Sequence, residues 1–315
     1  MHIFIAKRLL VAIPTLLLVS VFVFFLQKLL PGDPILALAG EERDPVVLAE
    51  LRERYGFNDP LPVQYVRWVA AAATGDLGIS LRTGQPVLEL IGQKLPVTIQ
   101  LAVMALGIAF LLGVPAGIYA AVRQRRLGDH AVNFLALAAL SVPNFWLGIM
   151  LILLVSVNLQ WLPASGYVSP WENLALSLKT MIMPAVVLGT GLSATLLRHT
   201  RSSMMGVLKS DYIRTARAKG LSGQAVVLGH AFRNAVLPVI TLTALLFGEL
   251  LAGAVLTEQI FTIPGFGKLI VDAVFTRDYA VVQGVVLCTA AGFILLNLVA
   301  DVLYVLLNPR LRSQL

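Results

Sequence analysis

Few residues of this chain have the types and spacing that chemistry needs, and most of those fail on their surroundings. Gly220-Leu221-Ser222-Gly223 spells the Gly-x-Ser-Gly of serine nucleophiles. Such a serine needs a histidine base within reach, but Ser222 lies in a basic polar stretch, and none of His2, His130, His199 and His230 stands on a later apolar segment. An aspartyl pair would need two facing intramembrane acids; Gly75-Asp76 is in a polar loop, which leaves Asp301 alone. Gly189-Thr190-Gly191-Leu192-Ser193-Ala194 imitates a dinucleotide fingerprint. It sits inside an apolar segment with no strand before it, so it reads as small-residue helix packing. No Gly-x-x-x-x-Gly-Lys-Ser/Thr phosphate loop occurs, and the nearest fragment, Gly267-Lys268, is followed by Leu269. The single cysteine, Cys288, rules out a disulfide framework and a cysteine metal site, and no metal site is expected.

What remains is polarity inside apolar stretches. An ionised acid within a bilayer costs at least a few kcal/mol and faces protein or a water-filled path. Glu249 lies deep in one such stretch, and Asp301, with Asn297 one turn earlier, lies near the end of another. Pro143, Asn144, Ser193, Thr241 and Glu249 are candidates to line a path, Pro143 and Pro184 by kinking helices and freeing carbonyls. Ordinary hydrogen bonding between helices is the competing role for these side chains.

The elements that position them are membrane spans. The 315 residues are 58% hydrophobic and only 13% charged, with mean hydropathy +0.84, too apolar for a soluble chain. Six segments can cross about 30 Å of hydrocarbon: residues 9–29, 97–121, 131–157, 181–197, 235–257 and 281–307, the fourth being shortest and able to start earlier, near Leu174. The first is read as an uncleaved helix, because no small-residue cleavage site follows its core. With both termini in the cytoplasm, Lys7, Arg8, Arg123, Arg125, Arg126, Arg198, Arg201, Lys209, Arg214, Arg217, Lys219, Arg233, Arg310 and Arg312 are inside, opposed only by Asp129 and Asp211. That bias favours this orientation. It also accounts for the net charge of +7 without nucleic acid as a partner.

The chain is read as one all-α domain, 1–315, with an extracytoplasmic insertion at 31–95 and a cytoplasmic loop at 198–234. In the insertion, residues 45–54 form an amphipathic helix stopped by Gly56, and Pro60 and Pro62 prevent its continuation. Tyr65 and Trp68, and the turn-rich Pro264-Gly265-Phe266, are candidates for contact with a delivery protein or for an outer gate. In the cytoplasmic loop, Ser210 or Asp211 starts a short helix, Arg217 and Lys219 suit its negative end, and Gly220 stops it. Ser222 starts a second helix through Ala225, Val226, Leu228 and Phe232. Such a hairpin suits either membrane lipid phosphates or a partner, with Ala216 and Ala218 admitting close approach and Arg214, Arg217 and Lys219 reaching acids.

Here a resemblance becomes specific. Asp211-Tyr212-Ile213-Arg214-Thr215-Ala216-Arg217-Ala218-Lys219-Gly220-Leu221 resembles the Glu-Ala-Ala-x-x-x-Gly signature of ABC import permeases, in the form used by the first permease subunit of dipeptide, oligopeptide and nickel importers. Arg214 replaces the usual glutamate, so no salt bridge is borrowed from that position. Leu30-Pro31-Gly32-Asp33-Pro34, Arg54-Tyr55-Gly56-Phe57-Asn58-Asp59-Pro60-Leu61, Gly75-Asp76-Leu77-Gly78-Ile79-Ser80, Ser141-Val142-Pro143, Gly166-Tyr167, Phe261-Thr262-Ile263-Pro264-Gly265-Phe266-Gly267 and Arg277-Asp278-Tyr279 are similar to that subfamily in the same order.

The resemblance implies a multi-pass permease of the bacterial cytoplasmic (inner) membrane that works by alternating access. It implies no active site in this chain, a second homologous permease subunit, two cytoplasmic ABC ATPase subunits or domains carrying ATP and Mg, and an extracytoplasmic solute-binding protein. ATPase docking then falls on Asp211, Tyr212, Arg214, Thr215, Ala216, Arg217, Ala218, Lys219, Gly220 and Leu221. Dipeptides or short oligopeptides are the expected cargo, with nickel chelates or glutathione as family alternatives. A stand-alone channel or ion-coupled carrier is the alternative of a different class.

Overall fold

A computed structural model describes residues 2–29, 35, 44–54 and 56–307, and only the backbone at 2–5, 7, 29, 252–253 and 303–307. The Leu30-Pro31-Gly32-Asp33-Pro34 motif, Glu41, Glu42, Tyr55, Arg310 and Arg312 lie outside the described residues, as does the Lys7 side chain. The described elements are helical: α1 His2–Leu29, α2 Pro45–Arg54, α3 Leu61–Ala73, α4 Val87–Val122, α5 Leu127–Ser141, α6 Asn144–Leu151, α7 Leu174–Leu208, α8 Asp211–Ala218, α9 Arg233–Gly253, α10 Val255–Ile260, α11 Phe266–Thr276 and α12 Tyr279–Leu307. Two π-helical stretches join them, Ile152–Asn158 after α6 and Ala225–Phe232 before α9.

Five described helices are long and apolar enough to cross a membrane, and the pair Leu127–Ser141 and Asn144–Asn158, bent by 91° at its break, brings the number to six when taken as one broken span. The third expected span is therefore not one rod. Pro143 has no N–H and holds Val142 out of the helical region; Val142 is extended at φ −83°, ψ 121°, and the helix restarts at Asn144. Pro184 has no such effect, being buried within the unbroken α7. That helix starts at Leu174, where the Asn173 side chain accepts the Leu176 N–H at 3.0 Å. The fifth span starts ten residues earlier than expected and runs as Ala225–Leu251, so the second arm of the hairpin expected at 198–234 is the beginning of that span. Glu249 consequently stands near the span's far end.

The chain divides into two compact units. The first takes residues 1–98 with 264–295. The residues expected to form an insertion at 31–95 are more than an appendage, because Leu77, Val87, Leu90 and Ile91 share a core with Phe266, Ala273, Val281, Val282 and Val285. The helix at 45–54 ends as expected, Gly56 at φ 68° with the Gly56 and Phe57 N–H groups on the carbonyls of Glu53 and Arg52 at 3.0 and 2.9 Å. The helix does not continue past Gly56, and Pro60 and Pro62 stand at the start of a separate helix, α3, proline being tolerated in a first turn. Two of the similar motifs meet in this unit: the Ser80 hydroxyl donates to the buried Asp278 carboxylate, which also accepts the Leu81 N–H at 3.4 Å.

The second unit takes 99–263 with 296–315. Its helices α4 and α7 touch backbone to backbone. A Cβ on Gly113 would stand 2.5 Å from the Ser193 carbonyl oxygen, and one on Gly117 would stand 2.7 Å from that of Leu197. Small-residue packing is thus what the Gly189–Ala194 pattern serves, Gly189 lying equally close to the Ala105 carbonyl. At one end Tyr167 donates to Gln100 at 3.2 Å, and Gln100 donates to Ser177 at 2.9 Å. Burial pushes the Tyr167 phenol above its ordinary value, which keeps it a donor.

Candidate docking helix and polar groove

Local punctuation builds the docking helix. Ser210 is extended at φ −74°, ψ 153°, its hydroxyl turned back to the Val207 carbonyl at 2.6 Å, and α8 follows with Asp211 in its first turn. Gly220, at φ 78°, stops it, with the Gly220 and Leu221 N–H groups on the carbonyls of Arg217 and Ala216 at 2.9 and 3.4 Å. Ile213 and Ala216, three residues apart, share one face. Both are buried in a cluster with Ala121 of α4, Met204 of α7, Val226 and Ala231 of the π-helical stretch and Ala235 of α9.

Asp211, Tyr212, Arg214, Thr215, Arg217, Ala218, Lys219, Gly220 and Leu221 are exposed. Ala216 does not admit a partner as expected; it admits the chain's own core. The Arg214–Asp211 pair at 3.2 Å is open to water, where such pairs contribute under about 1 kcal/mol. Tyr212 is tied to the start of α9, its phenol oxygen accepting from Asn234 Nδ2 at 2.9 Å.

The loop's cations divide into held and open ones. Arg201 forms two hydrogen bonds to the buried Asp129 carboxylate, at 2.7 and 2.8 Å, and Asp129 also accepts from the Arg125 N–H and Asn133 Nδ2. This pins the start of α5 to α7. Arg198 and His199, three and two residues earlier, are exposed.

Along the other face of α7 run two cavities. One, of about 290 Å³, is lined among others by Asn144, Gly191, Thr195 and Glu249. The second, of about 310 Å³, is lined by Thr195, Arg198, His199 and Ser202, so Thr195 belongs to both. Residues 191, 195, 198, 199 and 202 follow the spacing of one helical face. Of the candidate path residues, Asn144 and Glu249 are brought together here. Ser193 and Thr241 are not: their hydroxyls donate to the Thr190 and Leu237 carbonyls of their own helices, at 2.7 and 3.4 Å. Pro143 acts through the 91° break that swings Asn144 toward Gly191, whose Cβ would lie 3.6 Å from Asn144 Oδ1.

A family model described as binding-protein-dependent transport system inner membrane component matches residues 113–313, and its N-terminal companion matches residues 1–102. The chain belongs to that permease family. It is 43% identical to the dipeptide transport system permease protein DppB of Escherichia coli (strain K12), covering 99% of each chain. It is 44% identical to the glutathione transport system permease protein GsiC of Salmonella paratyphi A and 40% identical to the oligopeptide transport system permease protein AppB of Bacillus subtilis (strain 168), covering 98% of each chain in both cases. A solved inward-facing MetNI methionine ABC transporter shares the fold, with a TM-score of 0.57 at 14% identity over 70% of this chain and 97% of that one. Family and apolar helices together make this a multi-pass permease of the bacterial inner membrane.

Not every candidate contact residue of this permease is presented outward. Tyr65 and Trp68 of α3 pack on α1, their rings 5.4 and 6.2 Å from that of Phe24, and the Tyr65 hydroxyl lies 2.9 Å from Ser20 Oγ. Phe266 and Gly265 are buried, and the Phe266 N–H donates to Thr98 Oγ1 at 2.8 Å. These residues hold the first unit together, aromatic side chains supplying large apolar area. Thr195 is a polar candidate that the sequence offered beside Ser193; what sequence reasoning passed over is its continuation through Arg198, His199 and Ser202. Helical geometry was the available signal, since Ser193 and Thr195 project about 200° apart.

Proposed function

We propose that this chain is one of two permease halves of an ATP-driven importer, moving dipeptides or short oligopeptides inward by alternating access. Two cytoplasmic ABC ATPase subunits, carrying ATP and Mg, dock on residues 211–221, and an extracytoplasmic solute-binding protein delivers the cargo. Both termini are cytoplasmic, a reading supported by the clustering of Lys and Arg in alternate loops. The peptide cargo is supported by relatives named for dipeptide and oligopeptide transport.

One observation carries the mechanical part. The docking helix is anchored by Ile213 and Ala216 to residues of both α7 and α9, the helices that also line the groove. A push on its exposed face therefore acts on two groove walls at once, as a rigid element transmits displacement better than a loose one. Asn144, Thr195 and Glu249 lie on the path.

The test is reconstitution of the complete importer in liposomes with Arg217→Glu and with Gly220→Pro. Both variants should reach the membrane yet lose binding-protein-dependent uptake by at least tenfold while ATP hydrolysis loses its link to transport. Coupled uptake in both variants would overturn the docking assignment. Solute flux through this chain alone, in liposomes without ATP, would replace the importer reading by a channel or carrier.

A further inference from the structure

Of the two arginines in the C-terminal half of α7, Arg201 is neutralised within the chain by Asp129. Three groups facing the groove are different. No hydrogen bond or ion pair among the described residues engages Glu249 at one end, or Arg198 and His199 at the other. The two ends are of opposite charge, Glu249 on α9 and Arg198 and His199 on α7. Glu249 shares its cavity with Gly191 and Asn144, and Arg198 lies seven residues further along α7, about 10 Å at 1.5 Å per residue. Between them the shared wall residue is Thr195, whose hydroxyl makes only a long contact, 3.5 Å, to the Gly191 carbonyl.

A carboxylate left open in an apolar span is costly unless something answers it, and the exposed Arg198 guanidinium stands at the other end with no partner of its own among the described residues. A molecule carrying both charges at its ends answers both. An extended peptide advances about 3.5 Å per residue, so a tripeptide spans this rise, and for a dipeptide, at about 7 Å, the long Arg198 side chain takes up the remainder. Such a zwitterion also faces the same desolvation cost as the open side chains, and the groove lowers it for both at once.

We propose that the groove reads the two ends of a free peptide: Glu249 with Asn144 receives the α-ammonium, Arg198 with His199 receives the α-carboxylate, and Thr195 faces the peptide backbone between. Arg198 supplies the forked donors that suit a carboxylate. This assignment rests on the reading of the groove as the substrate path. It makes the permease a second selector, after the delivery protein, for peptides with both termini free.

The experiment uses the nucleotide-free complex of both permeases and the ATPases, without the binding protein, and measures equilibrium binding of radiolabelled dialanine, N-acetyl-dialanine and dialanine amide. The wild-type complex should favour dialanine about tenfold over each capped form. Glu249→Gln should abolish discrimination against the acetylated peptide and keep that against the amide; Arg198→Gln should do the reverse. Misfolding lowers all three affinities together and does not produce this exchange. Absence of a preference in the wild type, or a preference against the acetylated peptide that survives in Glu249→Gln, overturns the proposal. Binding-protein-dependent import by the wild-type complex is scored separately: import without end discrimination leaves the permease reading standing and removes this one.

Discussion

The docking helix and the groove are built on the same two spans by opposite means. The helix is a local motif, started at Ser210, stopped at Gly220 and fastened by two apolar side chains three residues apart. Its exposed side carries most of the candidate contact residues. The groove has no local motif. One wall, α7, is held by backbone contact with Gly113 and Gly117 behind it; the other side depends on a 91° break at Pro143 and on where α9 ends. The candidate docking surface is thus specified by consecutive residues, whereas the groove is specified by segments far apart in the chain.

The contrast can be broken most sharply at Gly113. With the Ser193 carbonyl 2.5 Å from its would-be Cβ, Gly113→Leu forces α4 and α7 apart, an overpacking cost of about 3 kcal/mol or more. The expected outcome is at least a tenfold loss of monodisperse protein in size-exclusion chromatography; normal yield would mean that the groove wall is not set by this approach. Next is Ile213→Ala, which empties a fully buried site and costs on the order of 3 kcal/mol. Here the loss should be confined to the docking region, with faster proteolysis at Lys219 and lost uptake but intact dialanine binding. Loss of that binding as well would erase the distinction between the two regions.

A smaller effect is expected at Asp129, the anchor of α5 on α7. Asp129→Ala removes charged hydrogen bonds worth about 2 kcal/mol and should lower the melting temperature while leaving the docking helix as resistant to protease as in the wild type. Smallest is Gly220→Ala. A Cβ there meets nothing within 4 Å, so only the left-handed backbone at φ 78° resists it, at about 1 kcal/mol. Uptake should fall less than threefold; a collapse as complete as that of Gly220→Pro would show that the site needs open space for a partner as well as a turn.

The two regions also differ in how much of them could be read in advance. Asp211 to Gly220 was legible because caps, charges and the glycine stop act within one or two turns. The 45–54 helix and its glycine stop were legible for the same reason, whereas the apolar face expected of it is not buried. At Tyr65, Trp68 and Phe266 the residue types promised a partner, and the structure used them on α1 and Thr98. Nothing local distinguishes an aromatic that awaits another protein from one that covers its own chain.

Sequence by itself determined that this chain lives in a membrane, roughly where it crosses, which loops are basic and where the helix at 211–218 begins and ends. Apolar length, charge bias and glycine at a helix stop depend only on neighbours in the chain. Tertiary structure alone decided that Pro143 breaks its span while Pro184 does not, that Ala216 faces inward, that Arg201 is held by Asp129 while Arg198 is not, and that Glu249 and Asn144 share one cavity. Each depends on which distant backbone or side chain occupies the adjoining space, and side-chain type alone does not encode that.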